Sequence, residues 1–270
     1  MLIRRCIIME SNFDVAPRLG ASQGKRCPLR ICNPELLESC LRVSSTATAY
    51  ELFGRKMKQI ELMVFDFDGT LVYSGEDLAN SVNHTLKRLG MPVLDRETII
   101  GFVGDGVARL IKRSLGDKHR DQLGEAMEIF KTHYAEHLLD TTVLYQGVRD
   151  MLEHFKYRKK VIVTNKLYSY TVKIAAELGI DVYFEDIIGA DSASFLKPDP
   201  GLLTPLLEKY GVEKEAAVVI GDGVNDIFLA KNTGTLSCAL LNGLGDRDTL
   251  LSLDPDYHCE NISELEKLFE

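Results

Sequence analysis

Two aspartates, Asp66 and Asp68, stand one residue apart in the apolar run 64-VFDFDGTLV-72. Carboxylates are seldom buried unless they are paired or bind metal. The pair is therefore either a capped strand end or two acids brought together for chemistry. Further polar residues close two other apolar runs: Thr164 and Asn165 follow 160-KVIV-163, and Asp222 follows 216-AAVVIG-221. Lys197 lies in 197-KPDP-200, and Asp226 stands four residues after Asp222. Phosphoryl transfer needs these residue types. The phosphorus is ringed by negative oxygens, and Mg²⁺ held by hard carboxylate oxygens relieves that charge. Asp66 and Asp222 are the expected side-chain ligands. Lys197 places a point charge on the phosphate and on Asp66, and the Thr164 hydroxyl holds transferring oxygens. Asp66 is the expected nucleophile. Asp68 is the proton carrier, protonating the leaving oxygen and then activating water. Asp226 sits one helical turn on and holds a metal water or Lys197. Gly69 and Gly223 let the chain turn beside the ligand.

The elements that must place these residues alternate. Short β-branched runs at 160–165 and 216–222 read as strands buried on both faces. A short strand at 183–191 and a last one at 235–243 complete the set. Helical patterns lie between them, at 169–179, 201–211 (with Pro205 an objection inside it) and 224–234. This alternation predicts an α/β fold, a parallel sheet with helices on both faces. In such sheets ligands bind beyond the carboxyl ends of the strands. Residues 76–156 show only helical patterns. In 77-DLANSVNHTLKRLG-90, Leu78, Val82, Leu86 and Leu89 share a face and Gly90 ends the helix. Further helices are expected at 95–101, 104–115, 120–139 and 147–156, which makes an all-helical insert.

The chain has 270 residues and a formal net charge of -8, which argues against a nucleic-acid surface. No apolar run reaches the roughly 20 residues that span a bilayer. Residues 1–60 carry ten Lys/Arg against five Asp/Glu, opposite in sign to the remainder. Residues 1–56, with one helical pattern at 34–43, read as a disordered extension, a targeting peptide or a stretch upstream of a start at Met57; a non-catalytic appendage is favoured. The six cysteines show no CxxC spacing, so free thiols and a cytoplasmic setting are expected. The pair in 133-HYAEH-137 has i, i+4 spacing but lacks the rest of a zinc motif, and reads as a helix face.

The sequence resembles the haloacid dehalogenase-like phosphatases in four motifs taken in order: 66-DFDGT-70, 164-TN-165, Lys197 with Pro198, and 221-GDGVND-226. The resemblance runs from about Lys58 to Leu241. It implies a Rossmann-like core with the nucleophile strand in the middle, formed by residues 57–75 and 151–270. It also implies a main-chain oxygen of Asp68 on Mg²⁺ and a mobile helical cap at 76–150. The stretches 101-GFVGDGVARLIKRSL-115, 163-VTNK-166 and 145-YQGVRDMLE-153 look most like phosphoglycolate phosphatases. Gln146 departs from that pattern, and Asp105 sets a negative charge where a dianionic substrate would come. Gly69, Thr70, Gly104, Gly106 and Arg109 are the candidates for substrate contact. Gly104 and Gly106 read equally as a helix-start loop, and Arg109 as a solvated helix residue.

The leading expectation is a Mg²⁺-dependent hydrolase of a small phosphorylated metabolite, with 2-phosphoglycolate the first choice and neither nucleic acid nor membrane as partner. A phosphosugar mutase or pyrophosphatase on the same scaffold is the enzymatic alternative; a long-lived aspartyl phosphate would mark the mutase. A non-catalytic phosphate-binding scaffold is the alternative from another class.

Overall fold

The computed structural model describes residues 57–270. The helical pattern at 34–43 and the four N-terminal cysteines lie outside the described residues. In chain order the first elements are β1 (Leu62–Phe65), β2 (Val72–Tyr73), α1 (Gly75–Arg88), α2 (Arg96–Ile100), α3 (Val107–Leu115), α4 (Leu123–Glu136) and β3 (Val143–Leu144). Then follow α5 (Val148–His154), β4 (Lys159–Val163), α6 (Tyr168–Glu177), β5 (Asp186–Ile188), α7 (Thr204–Tyr210) and β6 (Ala217–Gly221). The chain ends with α8 (Val224–Thr233), β7 (Leu236–Leu240), α9 (Arg247–Ser252), β8 (Tyr257–Cys259) and α10 (Leu265–Leu268).

Six strands form one parallel sheet in the order β5-β4-β1-β6-β7-β8. Side chains of a strand alternate between faces, and here both faces are covered. Met63 and Phe65 of β1 pack with Ile162, Val218 and Ile220 on one side. Leu62 and Val64 pack with Val161, Val163 and Val219 on the other. This explains why these strands read as unbroken apolar runs. Strand β1 is central, with Leu62 opposite both Lys159 and Ala217. The chain winds from β1 outward to β5, then crosses to β6 and winds the other way. The ends of β1, β4 and β6 therefore flank the switch point where an open sheet leaves a crevice.

Between β2 and β3 lie four helices. Leu78, Val82 and Leu86 of α1 are buried, as their spacing predicts, and join Leu110, Phe130 and Tyr134 in the apolar cluster that contains Phe65. Truncating such a side chain, Phe130→Ala for example, costs about 3–5 kcal/mol. The outgoing and returning chains are tied together. Val72 pairs antiparallel with Leu144 and Tyr73 with Val143. Asp77, buried in the first turn of α1, accepts from Thr141 N and Oγ1 at 3.0 and 2.6 Å and from Thr142 N and Oγ1 at 2.9 and 2.7 Å.

Several boundaries differ from the sequence reading. The insert is not wholly helical, since β3 lies inside it; two residues are too short to show a period. Residues 104–106 are a loop before α3, and a 3-10 turn, Asp117–Gln122, precedes α4. Pro205 falls in the first turn of α7, where its missing N–H has no helical partner to lose. Strand β7 is not the last: β8 adds a sixth strand at the edge. Its mixed sequence, with His258 exposed, carries little apolar signal. Near the end of the chain, Lys58 N donates to Leu268 O and Glu270 N to Lys58 O, both at 3.0 Å. Among the described residues no helix is long and apolar enough to cross a membrane.

Candidate active site

The residue after β1 is Asp66, those after β4 are Thr164 and Asn165, and that after β6 is Asp222. Strand order thus joins groups more than 150 positions apart in sequence. Asp66 Oδ1 is 2.7 Å from Lys197 Nζ and accepts from Phe67 N at 2.7 Å. No donor among the described residues reaches its Oδ2. Lys197 also donates to Asp226 Oδ1 at 2.6 Å. Burial opposes the Lys197 charge, but Asp226 and Asp66 outweigh it and hold its pKa above that of an ordinary lysine.

Asp222 is gripped by the protein. Its Oδ1 accepts from Thr70 Oγ1 at 2.7 Å, and its Oδ2 from Leu244 N at 2.8 Å and Gly245 N at 3.2 Å. Asp226 Oδ2 accepts from Gly223 N at 3.0 Å, which caps α8. Burial, and then the charge of Asp66, push the Asp222 carboxyl up to about 6. Burial pushes Asp226 up to about 7, with Asp66 adding to it and Lys197 opposing. One oxygen each from Asp66, Asp222 and Asp226 lies within 4.8 Å of the others. Together with Asp68, and with Lys166 and Lys197, the site holds four carboxylates and two ammonium groups. Fully ionised, this set would keep two negative charges among hard oxygen donors, which suits a divalent cation such as Mg²⁺.

Sequence reasoning gave the side chains of Asp66 and Asp222 and, from the resemblance, the main-chain oxygen of Asp68 as the metal set. In the structure the Asp226 carboxylate lies beside those of Asp66 and Asp222. The Asp68 carboxylate turns elsewhere: Oδ1 accepts from Ser74 Oγ at 2.5 Å and from Lys166 Nζ at 2.9 Å. That leaves its main-chain oxygen for a cation. Asn165 is bonded only to backbone, donating to Gly104 O at 3.0 Å and accepting from Lys197 N at 2.9 Å. Thr164 is buried and lines the same cavity as Asp66 and Asp68.

The substrate-contact candidates divide. Gly69 and Thr70 lie under Asp222. Gly69 has φ +85°, and a Cβ there would collide with the Asp222 carboxylate. Gly104 and Gly106 line the cavity and also dock the insert on the sheet. Gly104 O accepts from Asn165 and, at 3.2 Å, from Asn225. Asp105 is not a free charge. It accepts from Asn225 Nδ2 at 2.8 Å and pairs with Arg113 and, at 3.4 Å, with Arg109. Burial works against its ionisation, but these partners hold its pKa below the usual carboxylate range. Arg109 is 65% exposed and lies outside the cavity that holds Asp66, beside Lys197 and Pro198 on the outer surface. It is spent on Asp105.

Lys166 and Tyr134 were absent from the candidate list. The Lys166 side chain is 4% exposed and ends 2.6 Å from Tyr134 Oη. The stretch VTNK contains the lysine, but nothing in the sequence says that α4 delivers a tyrosine to it.

A family model described as haloacid dehalogenase-like hydrolase matches residues 63–240. A phosphoglycolate phosphatase of Chromobacterium violaceum is 35% identical over 221 residues, covering 79% of this chain and 98% of that protein. One from Colwellia psychrerythraea is 36% identical over 219 residues, covering 78% and 97%. Among solved structures, a predicted phosphoglycolate phosphatase from Haemophilus somnus superposes with TM-score 0.74 at 29% identity, covering 78% of this chain and 98% of that one. A haloacid dehalogenase-like hydrolase from Streptococcus pneumoniae gives 0.71 at 30%, covering 78% and 99%. The strand order, the carboxylates at the strand ends and these matches together place the chain in the haloacid dehalogenase-like hydrolase family.

Proposed function

We propose that this chain hydrolyses a small phosphate monoester, 2-phosphoglycolate first among them, through an aspartyl phosphate on Asp66. The observation that carries the reading is the state of Asp66. One oxygen is fixed by Lys197 and Phe67 N, the other meets no donor among the described residues, and the side chain lines the cavity. Asp66, the Asp68 main-chain oxygen and Asp222 would hold Mg²⁺, which when bound neutralises phosphate oxygens; Asp226 steadies the site through Lys197. Lys197 and Thr164 orient the phosphate. Asp66 attacks phosphorus in line with the leaving oxygen, and Asp68 gives that oxygen a proton. Asp68 then takes a proton from the water that splits the acyl phosphate, returning Asp66 and releasing phosphate. Residues 76–150 act as the cap over this chemistry, and the docking of Gly104 on Asn165 and Asn225 supports that role. The free thiols Cys238 and Cys259, with sulfurs 4.0 Å apart, go with a cytoplasmic setting.

Phosphate release from 2-phosphoglycolate and a panel of other monoesters tests the reading. Release should require Mg²⁺, stop with EDTA, and fall more than about 10³-fold in Asp66→Asn. A folded, Mg²⁺-supplied protein that releases phosphate from no ester overturns it.

A further inference from the structure

The reaction above leaves one buried charge without a task. Lys166 follows Thr164 and Asn165 on the loop after β4, and its Nζ lies 2.9 and 3.2 Å from the two Asp68 oxygens. Tyr134, from α4 of the insert, places its hydroxyl oxygen 2.6 Å from Nζ, with its ring centroid 4.7 Å away. An ammonium carries three N–H groups. Asp68 shares one and Tyr134 accepts a second. The third has no protein acceptor among the described residues. Burial opposes the charge of Lys166, but Asp68 and Tyr134 outweigh it, so the lysine stays ionised. The Tyr134 hydroxyl is pushed up to about 12 by burial and so stays neutral.

The surroundings give that spare N–H a direction. Lys166 lines one cavity with Asp66 and Asp68, and Leu78, Val103, Val107, Leu110 and Phe130 form apolar wall. Lys197 does not line it. Among the described residues Lys166 is the sole cation lining this cavity; a second cavity that shares Asp66 and Asp68 carries Arg96 and Arg113 on its wall. If Asp68 bonds to the leaving oxygen, two hydrogen bonds of about 2.8 Å in series bring Nζ within about 5.5 Å of that oxygen. A carboxylate one carbon beyond the ester oxygen spans this gap. A longer or neutral alcohol would leave the buried charge unmatched or meet apolar wall.

We infer that Lys166, positioned by Tyr134, is the specificity-determining residue that takes a carboxylate carried by the leaving alcohol. The inference rests on the phosphatase reading and adds the residue that would favour phosphorylated short 2-hydroxy acids over neutral phosphate esters. A lysine that only steadies Asp68 would serve every ester alike, which separates the two roles.

The test compares kcat/KM for 2-phosphoglycolate and for 2-hydroxyethyl phosphate, which has the same length and no carboxylate. Both are measured with Mg²⁺ on the full chain, as wild type, Lys166→Met and Tyr134→Phe. Wild type should prefer 2-phosphoglycolate by about 100-fold or more. Lys166→Met should fall at least about 30-fold more on 2-phosphoglycolate than on the neutral ester, chiefly through KM. Tyr134→Phe keeps the ring and should move the preference the same way by about 3-fold; it decides the matter should the methionine variant not fold. Equal losses on both esters, or an unchanged preference, overturn the inference while leaving the phosphatase reading intact. Cleavage of neither ester by a wild type that hydrolyses another monoester overturns the inference alone, and release of phosphate from no ester overturns both.

Discussion

Gly69 sits where two requirements meet. Its φ of +85° belongs to the left-handed region, and its missing side chain makes room for the Asp222 carboxylate. Gly69→Ala should therefore move Asp222, lowering kcat/KM by about 10²-fold, since small displacements in a site cost that much. The strained backbone should add about 1 kcal/mol of destabilisation. Steady-state kinetics beside thermal unfolding separates the two effects; activity retained at full level would show that Asp222 has another stable position. Asp77→Ala should do the reverse. It strips four donors on Thr141 and Thr142 of a charged acceptor and should cost about 2–4 kcal/mol in chemical denaturation. Asp66, Thr164 and Asp222, the proposed contacts of phosphorus or metal, were legible because each closes an apolar run. Their holders were not. Leu244 and Gly245 grip Asp222 through main-chain amides, which every residue has, and Tyr134 reaches Lys166 from a helix whose pattern says only that it is buried.

At the scale of elements, α1 and α4 pack with three imidazoles between them. His84 stacks on His133 at 3.9 Å, and His133 on His137 at 4.2 Å. His133 Nδ1 is 3.0 Å from Ser81 Oγ. Burial, then Arg88, His137 and Lys87, lower the His84 pKa below its ordinary 6.5. Burial, then His84 and His137, lower that of His133, with Glu136 and Asp140 opposing. A base depressed on folding takes its proton first in the unfolded chain. Stability from this contact is therefore complete above about pH 6.5 and declines as the pH falls through the folded pKa values. Unfolding midpoints from pH 8 to pH 5.5 should drop more in wild type than in His84→Gln; equal slopes would remove the stack as the cause. The helical face of His133 and His137 was readable from their spacing. Its third member was not, because α1 and α4 meet only in the folded insert. The parallel sheet was readable from alternation, and β3 and β8 escaped for want of length and apolar content.

For the whole molecule, the family match begins at residue 63, and every group described at the site lies within residues 57–270. A chain begun at Met57 should therefore keep its unfolding midpoint, and its kcat/KM within about 2-fold, in a direct comparison with the full chain. Loss of activity by a folded truncated chain would give residues 1–56 a part in the chemistry. Residues 76–150 meet the core at the β2–β3 ribbon and through the bonds of Gly104, Asp105 and Tyr134 to Asn165, Asn225 and Lys166. The proposed cap opens by a rotation about that ribbon, which would carry Gly104, Asp105 and Tyr134 together. Their bonds to Asn165, Asn225 and Lys166 would then break as a set. Opening would then be all-or-none, and its rate, rather than the strength of any one bond, would set how long a product stays inside.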